Sequence, residues 1–189
     1  MGLVLSLDCI PLETKLASIP VWESSAHIAC SRLCRVANDP HPEFDSTEEV
    51  LLCPTVFSAI CQNFEVYPEI DLFASADQHQ LARYCTVDPT DAQAEGYNAF
   101  NFLWTPGVAL YLNPPWSLLA QVVDKILVDG TQGLLVAPHW PETQWHKQLM
   151  ALDLHHQLWN QPLFLAADGR LRRAPCWATI FVHLPGSKA

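Results

Sequence analysis

Between residues 108 and 138, the hydrophobic residues form a continuous run, then recur at helical spacing, then form a second continuous run, and this order is typical of an α/β unit. An apolar run over 108–112 is followed by a polar corner at 113–116, then by apolar residues at helical spacing over 118–127. A second apolar run, 134–138, follows two glycines. Continuous apolar runs are typical of strands buried on both faces, and a period of 3.6 residues indicates an amphipathic helix. The pattern predicts strand, helix and strand, with the corner at the carboxyl end of the first strand.

Upstream of this unit, the pattern predicts a helix and a short strand. Ser46 and Glu49 have the spacing of a capping box, and Pro54 suits the first turn of a helix with an apolar face. The segment 69–75 is predicted to be a short strand bounded by a proline and a polar loop. The aromatic-rich segment 97–104 is expected to pack as a short strand or a turn.

Downstream, a helix is predicted to begin at Pro141, followed by a final hairpin. Its strands would be 163–165 and 177–182, with Asp168 and Gly169 as the turn between them. Strands that alternate with helices indicate a mostly parallel sheet covered on both faces. The predicted fold class is therefore α/β, with a mostly parallel sheet and an antiparallel edge hairpin.

The chain of 189 residues is of the size of one domain. Residues 1–43 show no clear period and end in a turn-like composition, so we expect an N-terminal extension of uncertain structure before a domain at 44–189. No apolar run approaches the roughly 18 residues that span a bilayer, and the start of the chain lacks a basic region typical of signal peptides. We therefore expect no membrane partner.

The charge balance bears on nucleic-acid binding. The chain has 10 basic and 20 acidic residues, for a formal net charge of -10. Because phosphate neutralisation supplies most non-specific affinity for DNA, a DNA-binding role would need a local basic patch or a partner or fused domain. Arg170, Arg172 and Arg173 form a basic cluster that either contacts phosphate or lies on a solvated turn.

The cysteines indicate a reducing compartment. There are 7, an odd number at scattered spacing, as in reduced thiols of a cytoplasmic or nuclear protein. His27, Cys30, Cys34 and His41 match no spacing of a structural zinc site. We predict no metal site.

The polar corner, Asn113-Pro114-Pro115-Trp116, is the strongest candidate for chemistry. Consecutive prolines fix two φ angles and remove two backbone donors, so the corner can join neither strand nor helix. It can hold an amide and an indole at the carboxyl edge of a sheet, where open α/β folds bind ligands. The alternative is a turn in which Asn113 caps the next helix and Trp116 packs in the core.

This corner resembles the catalytic motif of amino-group methyltransferases, which reads Asp or Asn, then Pro-Pro, then an aromatic residue. The resemblance implies that Asn113 and the carbonyl of Pro114 accept hydrogen bonds from an exocyclic amine, and that Trp116 stacks on the base. An adenine amine is a poor nucleophile because its lone pair is delocalised into the ring. Two acceptors restore nucleophilicity, while an aromatic face holds a base flipped from the stack.

A wider resemblance runs from about Ser46 to His183. This region is similar to phage-type N6-adenine methyltransferases and to their relatives in DIRS-type tyrosine-recombinase retrotransposons. The blocks that carry the likeness are 53–60, 70–75, 113–116, 135–141 and, more weakly, 169–175. The family usually has an acidic residue where this chain has Asn98, and Asp where it has Leu103.

The resemblance implies a Rossmann-like methyltransferase fold with S-adenosylmethionine as methyl donor. The cofactor would lie between the strand edge at Asp71 and the corner, where the expected contacts are Asp71, Phe73, Ala74, Ser75 and Asn98. Adenine in DNA would be the substrate, and the methyl group would transfer in line, without a covalent enzyme intermediate or a metal. The alternative is a catalytically inactive domain of the same fold that serves as a structural or interaction module.

Overall fold

The computed structural model describes residues 51–104, 107–165, 169–172 and 177–186. The extension predicted at 1–43, which includes His27, Cys30, Cys34 and His41, and the capping box at 46–49 lie outside these residues, as do Asp168 and Arg173. The elements in chain order are β1 (Leu51–Leu52), α1 (Pro54–Phe64), β2 (Ile70–Asp71), β3 (Cys85–Thr86), β4 (Gly96–Tyr97), a 3-10 turn (Ala99–Asn101), β5 (Leu110–Leu112), a 3-10 turn (Trp116–Leu118), α2 (Leu119–Asp129), β6 (Gln132–Pro138), α3 (Gln144–Met150), β7 (His156–Trp159), β8 (Phe164–Leu165) and β9 (Thr179–Pro185).

The predicted helices are confirmed, with local signals at their ends. Helix α1 has proline in its first turn and ends at Glu65, whose φ of 54° is left-handed. Helix α2 ends at Gly130, with φ 66°, where glycine carries no Cβ penalty. Helix α3 begins at Gln144, three residues after the proline expected to start it.

The main sheet has five strands in the order β2-β5-β6-β9-β7. The pairs β2-β5 and β5-β6 are parallel, whereas β9 is antiparallel to both β6 and β7. Strands β2, β5, β6 and β7 therefore share one direction, and the reversed strand β9 lies inside the sheet. The fold is α/β with a mixed sheet, so the prediction of a mostly parallel sheet is confirmed only in part.

The predicted edge hairpin is wrong. Strand β8 does not pair with β9 but forms a small antiparallel sheet with β1, in which Leu52 faces Phe164. Strand β9 instead pairs along its full length with β6, from Gln132↔Pro185 to Pro138↔Thr179. Both segments are short apolar runs whose pattern does not specify a partner. Leu163 and Phe164 are buried against helix α1, and this packing decides where β8 lies.

A second small sheet continues the main sheet beyond β2. Strands β3 and β4 pair in parallel, and a parallel bridge joins Asp71 to Tyr84 beside β3. The N–H of Ala74 also donates to the carbonyl of Cys85, at 3.1 Å. The chain thus moves outward from β2 to β4 and then returns to β5 on the other side of β2. Such a reversal of strand order is a topological switch point, and its carboxyl end is where open α/β sheets bind ligands.

Successive strand residues point to opposite sides of the main sheet, so both of its faces carry apolar side chains, and helices cover both faces. On one face, Leu110 and Leu112 pack with the apolar residues of α2 and α3. On the other face, Tyr111 packs with α1 and with the β1-β8 sheet. Within the described residues, no helix is both long enough and apolar enough to cross a bilayer.

Candidate functional site

A cavity of about 310 Å³ lies at the switch point. Its wall is formed by residues 72–74 after β2, 85–87 at the end of β3, 97–100, and Pro115, Leu118 and Gln121 after β5. Because residues 72–74 and Pro115 follow the carboxyl ends of neighbouring parallel strands, the cavity is placed where such sheets bind ligands. Its volume is at the small end of the range for ligand cavities, roughly 300–1,000 Å³.

The carboxylate of Asp71 stabilises the loop that forms one wall of the cavity. Asp71 is 3% exposed. Its Oδ1 accepts a hydrogen bond from the N–H of Phe73 at 3.3 Å, and its Oδ2 accepts one from the N–H of Gln80 at 2.9 Å. Arg83, which could have paired with it, instead contacts Glu95 at 2.9 Å. Asp71 and Ser75 are not part of the cavity wall, whereas Phe73 and Ala74 are.

Aromatic rings form an apolar side of the cavity. Phe73 meets Phe100 edge-to-face, with ring centroids 5.8 Å apart, and meets Trp104 in the same way at 6.0 Å. Trp104 is fully buried behind this wall and donates its indole N–H to the carbonyl of Ala99 at 3.0 Å. The wall therefore suits a flat, apolar ring.

Asn98 brings a polar group to the wall in an unusual backbone conformation. Its φ is 59°, in the left-handed region that asparagine tolerates better than most residues. Its backbone N–H donates to the carbonyl of Thr86 at 2.7 Å, and its Oδ1 accepts from the N–H of Phe100 at 3.1 Å. These bonds hold Asn98 in the cavity wall.

The structure divides the residues of the Asn-Pro-Pro-Trp corner between the cavity and the core. Pro115 is in the cavity wall, and its carbonyl accepts from the N–H of Leu118 at 2.9 Å. Asn113 is half-buried and Pro114 is buried, and neither lines the cavity. The residues at the N-cap positions of the turn and of α2 are Pro115 and Leu118, so Asn113 is not the helix cap.

Trp116 belongs to a tryptophan cluster, which we define as Trp116, Trp140 and Trp177. Its ring lies edge-to-face with Trp140 at 6.0 Å and with Trp177 at 5.3 Å. Trp116 is 8% exposed, whereas Trp140 is half-buried. The alternative interpretation, in which Trp116 packs in the core, therefore fits its position.

A histidine pair lies next to the tryptophan cluster and was not predicted. The Nε2 of His146 is 2.9 Å from the Nδ1 of His139, so one nitrogen donates and the other accepts. His146 is buried, and burial lowers its pKa, with a smaller contribution in the same direction from nearby His156. His139 follows β6 and His146 lies on α3. Only the packing of that helix brings them together.

The thiol of Cys85 lies in the cavity wall but is not activated. Burial, with smaller contributions from the carboxylates of Glu95 and Asp71, raises its pKa to about 11. A nucleophilic cysteine needs the opposite shift, because the thiolate is the reactive form. Cys85 is therefore a neutral, packing part of the wall.

The predicted basic cluster lies apart from the cavity. The N–H of Arg172 donates to the carbonyl of Phe164 at 2.8 Å, which places it beside the β1-β8 sheet; Arg170, two residues earlier, is exposed. That sheet packs with α1, whereas Leu72 and Cys85 of the cavity belong to the core on the α2 face. Across the described part of the chain, no three His, Cys, Asp or Glu side chains are grouped to hold a metal ion.

The comparisons with known proteins are sparse. No protein-family model matches the chain, and no curated protein matches it. Among solved structures, an O-methyltransferase from Bacillus cereus in complex with SAH is similar over 87% of this chain and 93% of that chain, with 8% sequence identity and a TM-score of 0.38. Similarity at that level is too low to establish a shared fold or ligand.

Proposed function

We propose that this domain binds S-adenosylmethionine and methylates an amino group, namely N6 of adenine in DNA. The observation that carries this proposal is the position of Pro115, which belongs both to the cavity wall and to the Asn-Pro-Pro-Trp corner. A ligand in the cavity would therefore lie next to the motif that resembles an amino-group methyltransferase site. The switch point between β2 and β5 independently favours ligand binding at this edge.

The cavity residues fit the adenosine part of such a cofactor. Phe73, Ala74 and Phe100 offer apolar and aromatic surface, and Asn98 offers an amide that can hydrogen-bond a base edge. Asp71 would act indirectly, by holding the loop that carries Phe73. When bound, the cofactor supplies an electrophilic methyl group. Asn113 and the carbonyl of Pro114 would accept the hydrogens of the adenine amine and orient its lone pair, which is a positioning effect.

We assign base stacking to the tryptophan cluster rather than to Trp116 alone. The ring of Trp116 packs edge-to-face against two indoles, so it could cover a base only by leaving those contacts. Trp140 is the half-buried member and offers more accessible surface. Trp116 would then hold the ring of Trp140 in position by packing against it.

DNA binding by a chain with net charge -10 needs additional positive charge. We propose that Arg170, Arg172 and Arg173 contact phosphate, and that a partner or fused domain supplies the remaining positive charge. A cytoplasmic or nuclear location, and an origin in retroelement polyproteins related to phage-type enzymes, belong to the same proposal.

A second candidate function is a catalytically inactive domain of this fold that serves as a structural or interaction module. The burial of Trp116 favours it, because that ring is the residue the motif assigns to the base. Asn98 in place of an acidic residue also favours it, since a neutral amide holds a cofactor hydroxyl less strongly than a carboxylate does.

The test combines calorimetry with mass spectrometry of the DNA. The first proposal expects heat on titration with S-adenosylmethionine, and N6-methyladenine in duplex or single-stranded DNA after incubation. Asn113→Ala should abolish methylation and leave cofactor affinity within about threefold, whereas the exposed control Asn160→Ala should retain both.

Cofactor binding without methylation of any adenine-containing DNA would favour the inactive module. Equal loss of binding and methylation in Asn113→Ala would show that Asn113 does not act on the amine. No binding at millimolar cofactor would refute the methyltransferase proposal.

A further inference from the structure

Two groups of histidines lie beside β7, the edge strand of the main sheet, one group on each face of the sheet. The chain enters β7 through His155 and His156, and successive strand residues point to opposite sides. His156 is in register with Val182, which belongs to the core on the α2 face. The carbonyl of His155 instead accepts a hydrogen bond from the N–H of His183 at 2.9 Å.

On the α2 face, the group consists of His139, His146 and His156. The Nε2 of His146 lies 2.9 Å from the Nδ1 of His139, and this bond joins the end of β6 to helix α3. His146 is 3% exposed. Burial and, to a smaller extent, His156 lower its pKa. A doubly protonated imidazole has no acceptor nitrogen, so the bond is lost when both rings are charged.

On the α1 face, the group consists of His155 and His183, which both contact Phe64. The ring of Phe64 lies edge-to-face with His155, with ring centroids 4.9 Å apart, and stacks on His183 at 6.0 Å. Burial lowers the pKa of His183, and His155 contributes in the same direction. Because Phe64 is buried at the end of α1, its apolar surroundings oppose a charge on His183.

Within the described part of the chain, no carboxylate compensates a charge on the buried member of either group. Strand β6 contains no charged residue, and the titratable side chain of α1 is the thiol of Cys61, whose pKa burial raises to about 11. On α2, Lys125 and Asp129 are paired with each other at 2.7 Å, and Asp124 is exposed. The other charged residues near these elements along the chain are all exposed: Glu65, Glu142, Lys147 and Asp153.

We propose that the two histidine groups form an acid-sensitive switch that releases α3 and β7 from the sheet at about pH 6 and below. Protonation breaks the bond between His139 and His146 and places like charges on both sides of β7. In the open state, water solvates the charged rings. Strands β2, β5 and β6 stay in place. The inference does not depend on the proposed function.

The tryptophan cluster would respond to this switch. Trp140 directly follows His139 and contacts Trp145 of α3, with ring centroids 6.4 Å apart. The hydroxyl of Thr143, just before α3, donates to the carbonyl of Trp140 at 2.8 Å. Release of α3 would therefore expose Trp140 and loosen its packing against the rest of the cluster.

The size of the effect follows from proton uptake. A histidine whose pKa is lowered in the closed state binds a proton on opening, so acid favours the open state. Between about pH 7.5 and pH 5.5, which bracket the ordinary histidine pKa of about 6.5, each such group raises the opening constant by about tenfold. His146 and His183 together should therefore raise it by about 100-fold.

Native-state hydrogen exchange with mass spectrometry measures the opening of residues 144–159, after correction for the intrinsic exchange rate at each pH. Opening should rise about 100-fold between about pH 7.5 and pH 5.5. It should depend little on urea at low concentrations, because local opening exposes little surface. The amides of β5 and β6 should be better protected and should exchange only through global unfolding, which depends strongly on urea.

Variants assign the effect to the two groups. His146→Gln and His183→Gln each remove one titrating ring, so each should reduce the rise to about tenfold. His79→Gln is the matched control, because His79 is exposed and stacks on Tyr84 beside β3, away from β7; it should keep the full rise. Thermal melting verifies folding, and the half-buried His183 decides the test if replacement of His146 prevents folding.

Three results would overturn the inference. One is exchange of residues 144–159 that does not rise in acid after the intrinsic correction. Another is a full rise that persists in both His146→Gln and His183→Gln. The third is equal protection and equal urea dependence in residues 144–159 and in β5 and β6, which would show that the protein opens only by global unfolding.

Discussion

The substitution Asp71→Asn separates a structural role of this carboxylate from direct ligand contact. Asp71 is buried, and its two oxygens accept from the N–H groups of Phe73 and Gln80 at 3.3 and 2.9 Å. Asparagine has the same shape but only one side-chain oxygen. Its NH₂ group would face one of the two backbone donors, leaving that donor without an acceptor.

The expected cost follows from these two bonds. A hydrogen bond to a charged group contributes about 1.5–3 kcal/mol, and an unsatisfied buried donor costs about 1–3 kcal/mol. Removing a buried negative charge offsets part of this loss. We therefore expect the free energy of unfolding to fall by about 2–3 kcal/mol, and the melting temperature to fall by roughly 5–10 °C for a chain of this size.

Urea unfolding followed by tryptophan fluorescence measures the stability, and calorimetry below the melting transition measures affinity for S-adenosylhomocysteine. Affinity should change by less than about tenfold, because Asp71 is not in the cavity wall and acts only through the loop that carries Phe73. Asp77→Asn is the matched control, since it removes the same charge from an exposed position on the same loop. Wild-type stability in Asp71→Asn, together with a tenfold or larger loss of affinity, would refute the reasoning and assign Asp71 to the ligand.

Three further predictions concern the fold. A Cβ on Gly133 would lie 1.9 Å from the backbone of strand β5, so Gly133→Ala should lower the free energy of unfolding by about 3 kcal/mol. Gly107→Ala meets only backbone strain and should lower it by about 1 kcal/mol. Equal values from urea unfolding would contradict the close approach at Gly133. Burial lowers the pKa of His146, so the unfolded state protonates first as pH falls below about 6.5, and stability should decline from pH 7 to pH 5. His146→Gln should make that decline shallower, and an unchanged slope in urea titrations would exclude His146 as its source. The pKa of Cys85 is raised to about 11, mainly by burial, so alkylation of its peptide at pH 8, followed by mass spectrometry, should be slow until urea is added; rapid native labelling would show an accessible thiolate.

The sequence was informative where structure depends on neighbouring residues. The proline at the start of α1 and the glycine after α2 act through backbone sterics. The helical spacing of apolar residues within each helix is a local periodicity of the sequence. The continuous apolar runs of β5 and β6 likewise identify buried strands. The corner at Asn113 was placed correctly at the end of β5, because consecutive prolines exclude both regular structures.

Strand pairing required the tertiary structure. The runs that became β8 and β9 are both short and apolar, and neither contains information about its partner. Strand β9 inserts between β6 and β7. Strand β7 itself was not predicted, because its residues, His-Gln-Leu-Trp, form neither a continuous apolar run nor an alternation of apolar and polar residues. Partners are chosen by which faces bury the most apolar surface together, and that depends on the whole sheet.

The candidate site likewise combines features that the sequence predicts with features that only the tertiary structure decides. The amino-acid sequence by itself determined that an amide, two prolines and an indole follow a buried strand, and that an aspartate ends another. Only the tertiary structure decided that Asp71 holds a loop, that Trp116 packs with two other tryptophans, and that Gln121 on the outer side of a helix reaches a cavity. The reason is that the spacing of residues along the chain determines which face of its helix or strand a side chain lies on. The order of strands in the sheet determines which distant loops that side chain contacts.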